Sequence, residues 1–278
     1  MPIRSDENAD DLAFLRDEVK RLRQSLNRMT PGIDLLLKRR GFQIYKKEPA
    51  ADLVLPAREY IDEYYGMMHR YSFRIFLRDV IKHQDAFSSA EVEKYASNEV
   101  TQNYLSTVSR IGLVERSGNE YRLKKRPVRS FGVTLEWYVA EIFKREFGAE
   151  VVWGVKFRRP SVGGDYDVIA KFDSSLLYAE VKSSPPKQIY DSEIKAFLDR
   201  TSDLSPEIAV FFMDTELRMK DKIVPLFEEE LKRRSNDPPE VERMERELFH
   251  IQKRIFIVNT KESILRNMEE VFSWYYRK

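Results

Sequence analysis

The chain has 278 residues, a length that allows one large domain or two of modest size. Its 48 lysines and arginines nearly balance its 46 aspartates and glutamates, so the net charge of +2 produces no global attraction to nucleic acid or membranes. The absence of cysteine excludes disulfides, thiolate metal sites and cysteine nucleophiles. Because no apolar run is long enough to cross a membrane, we expect a soluble, cytoplasmic protein without a membrane partner.

The first predicted element is a helix with a heptad repeat. Its apolar residues follow one another at alternating steps of three and four, at Leu12, Leu15, Val19, Leu22, Leu26 and Met29. This repeat is short for an isolated coiled coil. It therefore predicts either a homodimer formed through this helix or a helix that packs on its own domain.

A second helix should follow, over residues 33–40. Thr30 and Pro31 suit an N-cap and a first-turn proline, and Gly41 can end the helix. The stretch FQIYKK then predicts a short strand or an extended arm. We assign residues 1–55 to this N-terminal segment.

Residues 56–126 are predicted to form a second domain. A long aromatic-rich helix over 58–83 precedes a short helix capped by Ser88 and Ser89, then a third helix that Gly112 ends. A hairpin centred on residues 117–119 completes the segment. This order resembles the winged helix-turn-helix family over roughly residues 70–126.

In that family the third helix enters the major groove of DNA and the wing contacts phosphates. The resemblance therefore implies a DNA-binding face on this segment. Its predicted members are the third-helix residues Gln102, Asn103, Ser106 and Arg110 and the wing residues Arg116 and Arg122. Winged helices also serve as protein-contact modules, so the pattern alone does not decide between the two partners.

The basic stretch KKRPVRS interrupts both periodicities and marks a domain boundary, which begins a third domain over residues 127–278. Helices are predicted over 133–147, 191–201, 223–234, 241–249 and 264–276. Strands are predicted over 149–157, 166–172, 176–183, 207–214 and 254–260. Strands that alternate with helices after an initial meander predict an α/β sandwich with a mixed sheet.

Two of these strands place three charged side chains together. YDVIAKF and LLYAEVKS are separated by a short turn, which predicts an antiparallel hairpin. Because residues two apart face the same side of a strand, Glu180 and Lys182 lie together and Val181 faces the core. Asp167 on the neighbouring strand then lies near Glu180.

A small surface with two carboxylates and one ammonium group has two interpretations. It is either a salt-bridged hairpin or a metal site, because a hard divalent ion relieves the repulsion between adjacent carboxylates. Magnesium accepts one or two carboxylates together with a backbone carbonyl and water. A nearby lysine can then orient or deprotonate a water, or stabilise charge on a phosphate. Phosphodiester hydrolysis needs this combination.

The pattern strongly resembles the PD-(D/E)xK nuclease superfamily. In that superfamily a helix with a glutamate precedes a meander that carries an aspartate and then Glu-x-Lys. The Gly132-x-x-x-Glu136 spacing is similar to the archaeal Holliday-junction-resolvase and Mrr-like branches. The resemblance covers about residues 130–215 and implies a restriction-endonuclease-like α/β/α domain.

The resemblance also implies roles for individual residues. Asp167 and Glu180 would be metal ligands, the Val181 carbonyl a third ligand, Lys182 the catalytic lysine, and Glu136 a ligand, directly or through water. Tyr166 stands where a proline often precedes the aspartate. Asp165 competes with Asp167, and Glu141 competes with Glu136 on another face of the same helix.

We therefore expect a metal-dependent DNA endonuclease that uses Mg²⁺, with Mn²⁺ as a substitute, in repair, recombination or restriction. Phosphate contacts beside the site are predicted at Arg158, Arg159, Lys187 and Gln188. The alternative function is a non-catalytic DNA-binding or regulatory protein that uses the nuclease fold as a scaffold.

Overall fold

A computed structural model describes residues 30–158 and 161–277 and a few positions between 14 and 25. Of the heptad residues, Leu15, Val19 and Leu22 lie in helical backbone with exposed side chains. Leu12, Leu26 and Met29 lie outside the described residues. Self-association through this helix therefore stays a prediction.

The described part of the chain builds an eight-stranded sheet in the order β1-β4-β5-β6-β7-β10-β9-β8. The strands are β1 (Ile44–Lys46), β4 (Glu150–Phe157), β5 (Tyr166–Phe172), β6 (Ser175–Lys182), β7 (Ile208–Met213), β8 (Glu242–Arg243), β9 (Phe249–Ile251) and β10 (Ile255–Val258). β4, β5 and β6 form an antiparallel meander, whereas β6, β7 and β10 run parallel. The sheet is therefore mixed, as predicted.

Helices cover both faces of this sheet. On one face lies a hydrophobic cluster that includes α5 (Gly132–Glu146) and α8 (Ile264–Tyr276). On the other face α1 (Ile33–Arg39), α6 (Asp191–Leu204) and α7 (Ile223–Arg234) form a second cluster. The prediction of an α/β/α domain with a mixed sheet is thus confirmed. In the described part of the chain no helix has the length and apolar composition needed to span a bilayer.

The predictions for residues 241–249 and for the start of the second helix are wrong. Residues 241–249 form a β-hairpin, β8 and β9, because a tight turn that includes Arg246 in a left-handed conformation reverses the chain. The second helix begins at Ile33 with Gly32 as N-cap, not with Thr30 as N-cap. For FQIYKK, predicted as a short strand or an extended arm, the strand alternative is confirmed, since β1 pairs with β4 at the edge of the sheet.

The predicted long helix over 58–83 is two helices. After a 3₁₀ turn (Arg58–Tyr60) come α2 (Ile61–Met68) and α3 (Tyr71–Lys82), separated by Arg70 in an extended conformation. The carbonyl of Met68 accepts a hydrogen bond from Arg74 Nη1 at 2.6 Å. This side-chain bond satisfies a carbonyl that the interruption deprives of its helical partner.

The next helix was predicted too long, but the following elements are confirmed. Ser88 and Glu91 form a capping box, yet it begins only a 3₁₀ turn (Ser89–Val92). α4 (Asn98–Arg110) follows with Ser97 as N-cap, and Gly112 has a positive φ of 79° just past its end. The hairpin consists of β2 (Val114–Ser117) and β3 (Glu120–Leu123).

The helical segment and the sheet share a hydrophobic cluster. Tyr64, Phe73 and Val108 from α2, α3 and α4 belong to the same buried cluster as Leu135 of α5 and Val258 of β10. Buried apolar side chains therefore connect the predicted 56–126 domain to the sheet without interruption.

Candidate active site

The candidate site lies where β6 ends and β5 begins. Val168 pairs with Ala179 in the antiparallel β5–β6 ladder, so the register continued by one residue sets Asp167 opposite Glu180. Asp167 Oδ2 accepts a hydrogen bond from the backbone N–H of Val181 at 2.7 Å. The predicted convergence of Asp167 with Glu180 is therefore present in the structure.

Alternation along β6 directs its last three side chains as expected from the sequence. Val181 is buried in the cluster on the α5 face. Glu180 and Lys182 project together, and Lys182 Nζ lies 2.9 Å from Glu180 Oε1. Lys182 Nζ also lies 3.0 Å from Glu193 Oε2 on α6, so the ammonium group bridges two carboxylates.

Glu180 is buried, with 3% of its surface exposed. The hydroxyl of Tyr178 donates to its Oε2, and Arg200 Nη2 lies 2.7 Å from both of its oxygens. Burial raises the pKa of Glu180, but the neighbouring cations Lys182 and Arg200 and the bond from Tyr178 lower it more. Glu180 is thus held as a carboxylate.

The pKa values of Glu136 and Asp167 are shifted in the opposite direction from that of Glu180. Burial, followed by repulsion from Glu180 and Asp165, raises the pKa of Glu136 to about 7. Burial and repulsion from Glu180 and Glu136 raise the pKa of Asp167 well above its usual range, although Val181 N–H and Lys182 oppose this. These mutual effects place Glu136 of α5 within electrostatic reach of the hairpin carboxylates.

The structure also locates the two competing acidic residues. Asp165 is exposed and its carboxylate lies 2.9 Å from Lys156 Nζ. Glu141 accepts from Arg145 Nε at 2.6 Å and pairs with Lys144 on the surface of α5. Both carboxylates form ion pairs with basic side chains, although Asp165 is near enough to Glu136 to raise its pKa.

The cluster fits the donor chemistry of a magnesium site. Asp167 and Glu136 are hard oxygen donors whose ionised forms repel each other, and a divalent cation relieves this repulsion. Among the residues that the structure describes, however, no three His, Cys, Asp or Glu side chains form a ready-made set of metal ligands. Protein donors also occupy both oxygens of Glu180.

The predicted DNA-contact residues lie in two exposed places. Gln102, Asn103 and Ser106 are exposed on α4. Three of the predicted contact arginines bond to other residues of the 56–126 segment. Arg110 pairs with Glu63, Arg116 Nε donates to the Gly118 carbonyl, and Arg122 pairs with Glu115. Near the site, Arg158, Lys187 and Gln188 are exposed, whereas Arg159 lies outside the described residues.

Three residues around Glu180 and Lys182 were not predicted from the sequence: Arg200, Tyr178 and Glu193. Arg200 lies on α6, and it follows the buried Phe197 by three residues and precedes the buried Leu204 by four. This spacing puts Arg200 on the buried side of the helix. A charged residue at a core-facing helical position is a sequence signal that could have identified it.

No protein-family model matches the chain, and the search of curated proteins found no match. Several solved structures show partial similarity, including the following two. Can2 from Sulfobacillus thermosulfidooxidans, solved in complex with cyclic tetra-adenylate, has a TM-score of 0.49 and 13% identity over 88% of this chain. Protein VC1899 from Vibrio cholerae has a TM-score of 0.44 and 16% identity over 68% of this chain. The chain spans 60% and 53% of the lengths of these two proteins.

Proposed function

We propose that this protein is a metal-dependent DNA endonuclease of the PD-(D/E)xK type. The observation that carries the proposal is the convergence of Asp167, Glu180 and Lys182 at the end of the β5–β6 hairpin, with Glu136 from the preceding helix beside them. A salt-bridged hairpin needs no third acidic residue, and two carboxylates with raised pKa values favour a cation as their partner.

The ligands proposed for Mg²⁺ or Mn²⁺ are Asp167, Glu180 and the Val181 carbonyl, with Glu136 as a direct or water-mediated ligand. A bound divalent ion supplies positive charge for the phosphate oxygens and lowers the pKa of a water. Lys182 orients the attacking water and stabilises the negative charge that develops on the phosphate. α6 supports this arrangement, because its Glu193 holds the ammonium group from the opposite side.

DNA is the proposed substrate because exposed polar residues are available beside the site and on α4. Arg158, Lys187 and Gln188 are candidates for phosphate contacts near the scissile bond, and Gln102, Asn103 and Ser106 for contacts in a groove. Two copies joined by the N-terminal helix would place two such sites on one duplex or branched junction.

The proposal is tested with purified protein and four substrates: supercoiled plasmid, linear duplex, single strand and a four-way junction. Each substrate is incubated with Mg²⁺, with Mn²⁺ and with EDTA. We expect cutting only with metal. Asp167→Asn should remove the activity, whereas Asp165→Asn should retain it, because the Asp165 carboxylate pairs with Lys156.

The pattern of loss distinguishes the outcomes. Activity in Asp167→Asn together with loss in Asp165→Asn would transfer the ligand role to Asp165. Cutting of every substrate by both variants would assign the activity to a contaminant or to another site. Salt-dependent binding without cutting would overturn the nuclease proposal.

A second candidate function is non-catalytic DNA binding. The observation in its favour is the pair formed by Arg200 and Glu180, since an internal cation already neutralises the carboxylate that a metal would use. In that case the DNA affinity should be unchanged by EDTA and by Glu180→Gln. Gel shifts at two salt concentrations measure both quantities.

A further inference from the structure

The carboxylate of Glu180 has no free acceptor position in this arrangement. Oε1 contacts Arg200 Nη2 at 2.7 Å and Lys182 Nζ at 2.9 Å. Oε2 contacts Arg200 Nη2 at 2.7 Å and accepts from the Tyr178 hydroxyl. Since a carboxylate offers about four lone-pair positions, these four contacts saturate it. One donor must leave before Glu180 can bind a cation.

The two cations on Glu180 differ in how firmly they are held. Arg200 is buried, and its Nε donates a further hydrogen bond to the Tyr178 hydroxyl at 2.8 Å. The guanidinium, the phenol and the carboxylate thus form a closed ring of bonds. Lys182 has a flexible stem and a second carboxylate, Glu193, already at 3.0 Å. Lys182 can therefore leave Glu180 without losing its ionic partner, and Arg200 cannot.

The loop before β5 is shaped around the same guanidinium. Gly164 has a φ of 109°, and a Cβ built at this position would lie 2.9 Å from Arg200 Nη1. The backbone at Gly164 thus approaches the guanidinium so closely that a larger residue there would displace it, and this close approach confines Arg200. The confinement is a second reason why Arg200 stays in place while other groups at the site rearrange.

We propose that Arg200 is a positioning residue that fixes the carboxylate of Glu180, and that Lys182 is the donor that vacates Oε1 when a divalent cation binds. This inference rests on the proposed function, since it assigns roles around the same cation. Arg200 and Tyr178 retain Glu180 in one orientation, and the displaced Lys182 becomes available for the attacking water. Hydrogen-bonded partners of this kind typically change metal affinity by about 10- to 100-fold.

The test measures cation binding directly, apart from cleavage. Isothermal calorimetry with Mn²⁺ and with Mg²⁺ is performed on the wild type, Arg200→Ala, Arg200→Lys, Tyr178→Phe and Lys182→Ala. Arg234→Ala is the matched control, because Arg234 bonds to Asp199, the residue before Arg200 on α6, on the side away from the site. Circular dichroism and thermal unfolding verify that each variant is folded, and plasmid cleavage gives kcat and KM.

We expect Arg200→Ala to weaken cation binding by about tenfold or more. Arg200→Lys should lie between it and the wild type, because lysine retains the charge but not the forked geometry. Tyr178→Phe should weaken binding less than Arg200→Ala. Lys182→Ala should bind the cation at least as tightly as the wild type, although its kcat should fall. Arg234→Ala should match the wild type.

Three results would overturn the inference. Tighter cation binding by Arg200→Ala would show that Arg200 competes with the cation. Unchanged binding in a folded Arg200→Lys and Tyr178→Phe pair would show that neither group positions Glu180. Weaker binding by Lys182→Ala would show that the lysine does not have to leave. If the wild type itself binds no cation and cuts no substrate, the proposed function fails, an outcome that differs from all three.

Discussion

Arg74 of α3 and Asp214, which follows β7, form an ion pair inside the protein, with Arg74 Nε 2.9 Å from Asp214 Oδ1. Both side chains are almost fully buried. Arg74 also donates to Thr260 after β10, so one guanidinium joins the helical segment to the ends of two parallel strands. Four residues further along α3, Arg78 donates to the carbonyl of Ser183, next to Lys182.

Removal of one partner from this pair should strongly destabilise the protein. Arg74→Met leaves Asp214 buried without its cation, and such a change costs roughly 3–5 kcal/mol of unfolding free energy. The double variant Arg74→Met/Asp214→Leu should recover part of this loss, because it removes both charges. Urea unfolding measures each value. Arg233→Ala, which removes solvent-exposed pairs with Asp191 and Glu229, should change the stability far less, because water screens exposed ion pairs. Equal losses of unfolding free energy in Arg74→Met and Arg233→Ala would contradict this prediction.

Lys182→Ala should remove nearly all cleavage and leave the fold and the DNA affinity unchanged. The ammonium group is the cation best placed to contact a water or phosphate, because Arg200 is committed to Glu180 and Tyr178. We expect kcat to fall by about 100-fold or more. Lys195→Ala, an exposed lysine on α6, serves as control. A Lys182→Ala variant as active as the wild type would exclude the lysine from the mechanism.

The pH dependence of stability should change in Glu136→Gln. In the folded state the pKa of Glu136 is raised to about 7 by burial and by Glu180 and Asp165. The folded protein therefore binds this proton more tightly than the unfolded chain, so stability is lost as the pH rises from the ordinary glutamate range through 7. The metal-free wild type should lose on the order of 3 kcal/mol of unfolding free energy by pH 8 through this group, and Glu136→Gln should not show this loss.

Urea unfolding in EDTA at pH 5, 6, 7 and 8 measures this difference for Glu136→Gln and wild type. Glu141→Gln is the control, since Glu141 forms its ion pairs on the surface of α5. If Glu136→Gln and wild type lose stability in parallel between pH 5 and pH 8, the raised pKa is not present in solution.

The N-terminal helix should hold two copies together. Leu15, Val19 and Leu22 are helical and exposed, with exposed fractions between 45% and 59%, so this apolar face has no cover within the described part of the chain. Sedimentation equilibrium should show a dimer for the full chain and a monomer for Leu15→Glu/Leu22→Glu. A variant that replaces exposed Asp17 with lysine should remain dimeric. If the full chain is monomeric at every accessible concentration, the heptad helix does not join two copies.

The sequence predicted the centre of the site because strand alternation has a fixed period of two. Once the hairpin was placed, Glu180 and Lys182 had to share a side, and Asp167 had to lie across from them. Arg200 could not be predicted as the partner of Glu180, because a sequence does not show which distant helix packs over a strand. The contact between Arg200 and Glu180 spans 20 positions and depends on how α6 packs against the sheet.

Helix boundaries failed for a different physical reason. The apolar spacing of residues 58–83 continues across the interruption at Arg70, so periodicity alone gave one helix. In 241–249 the apolar residues Val241, Met244, Leu248 and Phe249 follow helical spacing, so periodicity alone favoured a helix. Tertiary contacts decide both cases. The Met68 carbonyl accepts a hydrogen bond from Arg74, and strand β9 pairs with β10.

The cluster shared by Tyr64, Phe73, Val108, Leu135 and Val258 has a practical consequence for anyone who divides this protein. A fragment that begins at residue 127 would expose the apolar side chains that pack against the helical segment, and it should aggregate when expressed. Exchange of the helical segment for that of another protein would fail for the same reason. Because the same buried cluster continues from Val108 of α4 to Val181 of β6, a DNA duplex bound on α4 would lie at a defined distance from the candidate site.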